Sequence, residues 1–121
     1  MAAGNPSTIG TGTEVIRRVF VHASNNASTA LITGVADHIY TVLSVVISNM
    51  GSSSEDELFS LYVDPDTGTD DIYWTKEENV PPQKTYIFSE KVSITNTDKL
   101  YIWTSAGDMD IYCTYIDQDY S

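Results

Sequence analysis

Apolar and polar residues alternate with a period of two along most of this chain. The clearest case is its last quarter. There Leu100, Ile102 and Thr104 fall on one side of a first run, and Met109, Ile111, Cys113 and Tyr115 on one side of a second. A helix repeats near 3.6 residues and would scatter these positions, so both runs read as strands. Ser105-Ala106-Gly107-Asp108 joins them, and Gly107 beside Asp108 suits the left-handed backbone of a short hairpin loop. The spacing predicts a closing β-hairpin whose second face is aromatic: Tyr101, Trp103 and Tyr112.

The same pattern runs through the earlier chain. Glu14–Ala23 alternates, and Thr29–Val35 follows after the turn residues Ser24–Ser28, with Gly34 marking a bulge or bend. Ile39–Met50 is the strongest strand. Ile39, Leu43, Val45 and Ile47 are expected on one face and Val42 and Val46 on the other, so it should be central, with its second face covered. Leu58–Val63, Ile72–Lys76, Lys84–Glu90 and a short Val92–Ile94 segment complete the set, with Glu77–Gln83 breaking the pattern. About eight strands with frequent turn signals and no amphipathic helix predict an all-β fold: a single antiparallel β-sandwich, jelly-roll-like. Residues 1–13 are small, polar and Gly-rich and read as a flexible N-terminal arm, leaving 14–121 as the sandwich domain.

Charge narrows the partners. Six basic residues against seventeen acidic ones give a net charge of −11, which opposes binding to nucleic acid or to an anionic membrane surface. No run reaches the roughly 18 apolar residues of a membrane helix, and the N-terminus has neither the basic start nor the apolar stretch of a signal peptide. Cys113 is the single cysteine, expected as a small buried hydrophobe.

Four carboxylates, Asp64, Asp66, Asp70 and Asp71, crowd eight residues and suggest calcium. The spacing departs from an EF-hand loop, with Gly68 one position early and Thr75 where the bidentate glutamate belongs, so an ordinary acidic loop is expected and no metal or other cofactor. His22 and His38 match no zinc spacing, and no nucleophile–base pair is suggested, so no enzyme is expected. The aromatics say more. Eight Tyr and two Trp against three Phe favour rings with one packed and one wet side, the kind found at interfaces. Tyr73, Trp74, Tyr86, Tyr101, Trp103 and Tyr112 are the candidate partner-binding residues.

The succession R-V-F-V-H-A-S, Y-T-V-L-S-V-V-I-S-N-M, Y-I-F-S and finally D-K-L-Y-I-W-T-S-A-G-D-M-D-I-Y-C-T-Y-I-D resembles the small all-β virion proteins of tailed bacteriophages, particularly those of cyanophages and other aquatic phages. The likeness spans residues 15–117 and rests on alternation and turns. It implies a structural protein of the particle, made in the host cytoplasm. The most concrete form is a capsid decoration or cement protein, with the major capsid protein or other virion proteins as partners and homo-oligomers, trimers among them. A tail, head–tail or fibre component is the alternative in that class. A carbohydrate-binding adhesion module using Tyr73, Trp74 and Trp103 is the alternative outside it.

Overall fold

The computed structural model describes residues 13–23, 25–51, 56–65 and 70–120, and most of the expected arm, 1–13, lies outside them. Among these residues nine strands are formed: β1 (Thr13–His22), β2 (Ala27–Thr33), β3 (His38–Asn49), β4 (Glu57–Asp64), β5 (Ile72–Val80), β6 (Thr85–Phe88), β7 (Val92–Thr95), β8 (Lys99–Thr104) and β9 (Met109–Asp119). Among the described residues there is no helix. The strands form two antiparallel sheets, as the alternation predicts. One runs β1-β9-β3-β6, with β7 also paired to β3, and the other runs β2-β8-β4-β5. β6 takes the Val45–Ser48 half of β3 and β7 the Ile39–Val42 half, so the two short strands share one edge.

The inner faces meet in one core. Val42, Val45, Ile47, Met109, Ile111 and Cys113 come from the five-stranded sheet, and Ile32, Phe59, Leu61, Val63, Leu100 and Ile102 from the four-stranded sheet. Each large side chain sealed there contributes roughly 1.5–3 kcal/mol relative to exposure.

The expected closing hairpin is not formed. β8 lies in one sheet and β9 in the other, and the 105–108 connection crosses between them. The phase of each strand is as the alternation predicts, since Leu100, Ile102, Met109, Ile111 and Cys113 are all buried. Alternation reports which side of a strand faces the core, not which strand lies beside it. Long-range bonds fix the crossing: Ser105 N–H donates to Leu58 O, Leu58 N–H to Ser105 Oγ, and Ala23 N–H to Met109 O.

Bulges account for two further corrections. In β3 the register slips between Val42 and Ser44, so the inward positions are Tyr40 and Val42 before the slip and Val45 and Ile47 after it. Ile39 and Leu43 therefore do not share the Val45 face. β3 is central, as its composition demands, and its outward Val46 sits between Tyr112 and Ile87; among the described residues no further layer covers that face. β5 does not stop at Lys76. It continues to Val80 by absorbing two register shifts against β4. Gly34, where a bend was expected, instead marks a close approach. A Cβ there would stand 2.0 Å from Asn96 O and 2.4 Å from Asp98 O.

Candidate binding surfaces

The two outer faces of the sandwich differ in chemistry. On the four-stranded sheet, cross-strand register places Tyr101 of β8 beside Tyr62 of β4, and Tyr62 beside Tyr73 of β5. Tyr62 and Tyr101 stack at 5.4 Å between ring centroids with planes 16° apart, and Tyr62 and Tyr73 stand 5.2 Å apart at 36°. Lys76 Nζ lies 4.9 Å from the centre of the Tyr73 ring. These rings largely cover one another's faces. Trp103 occupies the next outward position on β8, between Ser28 of β2 and Ser60 of β4, and its Nε1–H donates to Asn26 Oδ1 at 3.3 Å.

Three of the six candidate aromatics, Tyr73, Tyr101 and Trp103, thus share one face, joined by Tyr62. Sequence reasoning passed over Tyr62, although it sits on the outward phase of a clearly alternating strand. Trp74 and Tyr86 turn the other way. Trp74 stacks on Phe88 at 5.6 Å and Tyr86 meets Phe59 edge-on at 5.1 Å, both against the core. Tyr112 stands alone of the six on the outer face of the opposite sheet.

That second face is apolar. Phe20, Tyr112, Val46 and Ile87 form one row across four adjacent strands, β1, β9, β3 and β6. Phe20 is 64% exposed and Ile87 60%, and Ile16, two rows along β1, is 66% exposed. Phe20 and Tyr112 meet edge to face at 4.7 Å, and an Arg18 Nη1–H donates to Tyr112 Oη at 3.3 Å. Beside them is a depression of about 300 Å³ lined by Phe20, Val46, Ser48, Asp110 and Tyr112 among others. A monomer seldom leaves a connected apolar row of this kind in water. Ile16, Phe20 and Ile87 each looked like an ordinary outward member of an alternating strand. Only register shows that Phe20, Val46 and Ile87 are neighbours.

Polar chemistry concentrates at one end of the five-stranded sheet. Asp117 is buried and accepts from Arg17 Nε–H at 2.8 Å on Oδ2, while His38 Nδ1 lies 2.6 Å from Oδ1. Asp117 holds the Arg17 guanidinium above its usual pKa, through their hydrogen bond first and their charge attraction second. At the opposite end of the same sheet, on its outer face, His22 pairs with Asp110. Both histidines therefore meet carboxylates distant in sequence, and His38 is oriented by Asp117 rather than by its neighbour Asp37. The one thiol is elsewhere: Cys113 is sealed in the core, where desolvation pushes its pKa up to about 12. At neutral pH such a thiol is not a nucleophile. Of the acidic loop, Asp64, Asp70 and Asp71 are exposed, and Asp66 lies outside the described residues. Among the described residues, no three His, Cys, Asp or Glu side chains are grouped as metal ligands.

No family model, curated protein or solved structure matches this chain.

Proposed function

We propose that this protein is a non-enzymatic structural component of a phage particle, a capsid decoration or cement protein in its most concrete form. In this reading it attaches by burying the outer face of its five-stranded sheet against a neighbouring virion subunit. The observation that carries the reading is the exposed row Phe20–Tyr112–Val46–Ile87, flanked by Ile16. Other rows of the same face carry hydroxyl side chains, Thr41 and Ser93 in one and Ser48 and Thr85 in another, the latter row ending in the Asp110–His22 pair. A face of apolar and small polar groups can be desolvated at little cost.

The same side carries little charge. The chain carries −11 overall, yet the outward positions of β1 and β9 hold two carboxylates, Glu14 and Asp110, against the cation Arg18. An acidic protein approaches another acidic surface with least repulsion through such a near-neutral face. Attachment would stabilise the shell by added buried interface, through mass action and without chemistry. The resemblance in sequence pattern supplies the particle, and the sheet face supplies the means of attachment. Purified particles should contain the protein in a fixed copy number that survives a salt wash. Its absence from particles would refute the reading.

A further inference from the structure

The opposite sheet carries a second site, and we propose that it binds a neutral pyranose of a surface glycan. This inference stands apart from the virion reading, because it rests on different residues on the other side of the sandwich. The site is a depression of about 290 Å³ beside Trp103, walled by Tyr62 and Tyr73, floored by Ser28 and Ser60 and rimmed by Lys76 and Glu77. That volume sits at the lower end of ligand pockets, roughly 300–1,000 Å³, and suits one sugar ring.

Register opens the slot. Trp103 has a serine on each neighbouring strand, and those short side chains leave space along the flank of the indole. β5 widens it, because the strand slips twice against β4 between Phe59 and Tyr62. Bulges of this kind bend a strand and re-aim its side chains.

The backbone at the rim belongs to the same bulge, where Lys76 and Glu77 lie together opposite Ser60. Among the described residues, five non-glycine positions have positive φ. Asn26, Asp37, Gln83 and Asn96 lie in turns, where that conformation is common, whereas Glu77, at φ 52°, lies inside a strand. Its N–H is held at 2.8 Å by the hydroxyl of the buried Ser60. The bulge thus fixes Glu77 at the rim in a left-handed conformation and aims its side chain separately from the regular strand positions.

The chemistry selects the ligand class. The Trp103 indole accepts the C–H face of a sugar ring, with Tyr62 and Tyr73, whose own faces are largely taken, closing the sides. Hydroxyls, an ammonium and a carboxylate around them supply both donors and acceptors for sugar hydroxyls. Lys76 and Glu77 cancel in charge, so neither a phosphate nor a cation is favoured. The open, partly polar slot does not suit a lipophilic ligand.

Trp103 reports on the site directly. The other tryptophan, Trp74, stacks inward on Phe88, so Trp74→Phe leaves a single tryptophan, in the site, to be excited selectively. That variant, checked for fold by circular dichroism, is titrated through the millimolar range with the methyl glycosides of glucose, galactose, mannose and N-acetylglucosamine. At least one should change Trp103 emission saturably. Glu77→Gln and Lys76→Ala, each added to the reporter variant, should weaken that response about tenfold. Phe20→Lys, on the far face, should leave it unchanged. No saturable response to any of the four glycosides overturns the proposal, as does a response indifferent to both rim substitutions.

Discussion

Arg17 on β1 and Asp117 on β9 lie 100 residues apart in sequence and share a 2.8 Å hydrogen bond from Nε to Oδ2. The other oxygen of Asp117 meets His38 at the start of β3, so one buried carboxylate ties three neighbouring strands. Asp117→Asn keeps the shape but leaves an amide able to accept from one of these partners and not both. Removing such a buried acceptor costs on the order of 1–3 kcal/mol. Denaturant melts should show that loss. An unchanged midpoint would mean that the cluster contributes nothing to the fold.

The closing strand allows a test of phase. Ile111 is 2% exposed in the core, while its neighbour Asp110 lies on the outer face beside His22. Ile111→Lys places an ammonium group in an apolar interior and should cost several kcal/mol, a large part of the roughly 5–15 kcal/mol typical of a domain. Asp110→Lys should stay within about 1 kcal/mol. The two variants are compared by urea unfolding, and equal midpoints would refute the assigned faces.

Gly34 is expected to tolerate no side chain. Any Cβ would meet the carbonyl oxygens of Asn96 and Asp98 well inside contact distance, and backbone cannot move aside as a flexible side chain can. Gly34→Ala should therefore lower stability by about 2 kcal/mol or more, measured as a fall in thermal midpoint. A midpoint at the wild-type value would show that the β2–β3 turn is not packed as described.

The core thiol makes stability fall in alkali. Burial raises Cys113 from 9 to about 12, and burial pushes Tyr40, Tyr62 and Tyr115 upward as well. Above pH 9 the unfolded thiol releases its proton while the folded one keeps it. The native state then binds more protons, and stability declines as pH rises toward 12. The thiol's share reaches at most about 4 kcal/mol. Cys113→Ala should flatten the slope of unfolding free energy against pH between 9 and 12. An identical slope would assign the alkaline loss to the tyrosines alone.

What could be read in the sequence was local. Period-two alternation gave the strands and the inward faces of β8 and β9, because a strand's pleat is a property of its own residues. The pairing of those strands was not legible. Leu100 and Ile111 look alike whether they share a sheet or face each other across the core. Bulges were equally hidden: nothing at Leu43 announces that one extra residue moves Tyr40 onto the core face. The aromatic bias pointed toward Tyr73, Tyr101 and Trp103, which do converge, but could not tell them from Trp74 and Tyr86, which pack inward. The apolar row of Phe20, Val46 and Ile87 exists only through register, since its members come from three distant segments.

Attachment of the protein to particles through that row is the central claim, and a binding measurement on particles stripped of the protein tests it most directly. Wild type, Phe20→Lys and Ala30→Lys are each added back, and bound copies per particle are counted. Ala30 is exposed on the opposite sheet beside Tyr101, so its lysine variant controls for the change in charge. A lysine at position 20 would have to bury its ammonium in an apolar interface. Wild type and Ala30→Lys should bind in equal number, and Phe20→Lys should bind about tenfold more weakly or worse. Full occupancy by a folded Phe20→Lys variant, or no binding by wild type, would contradict the account.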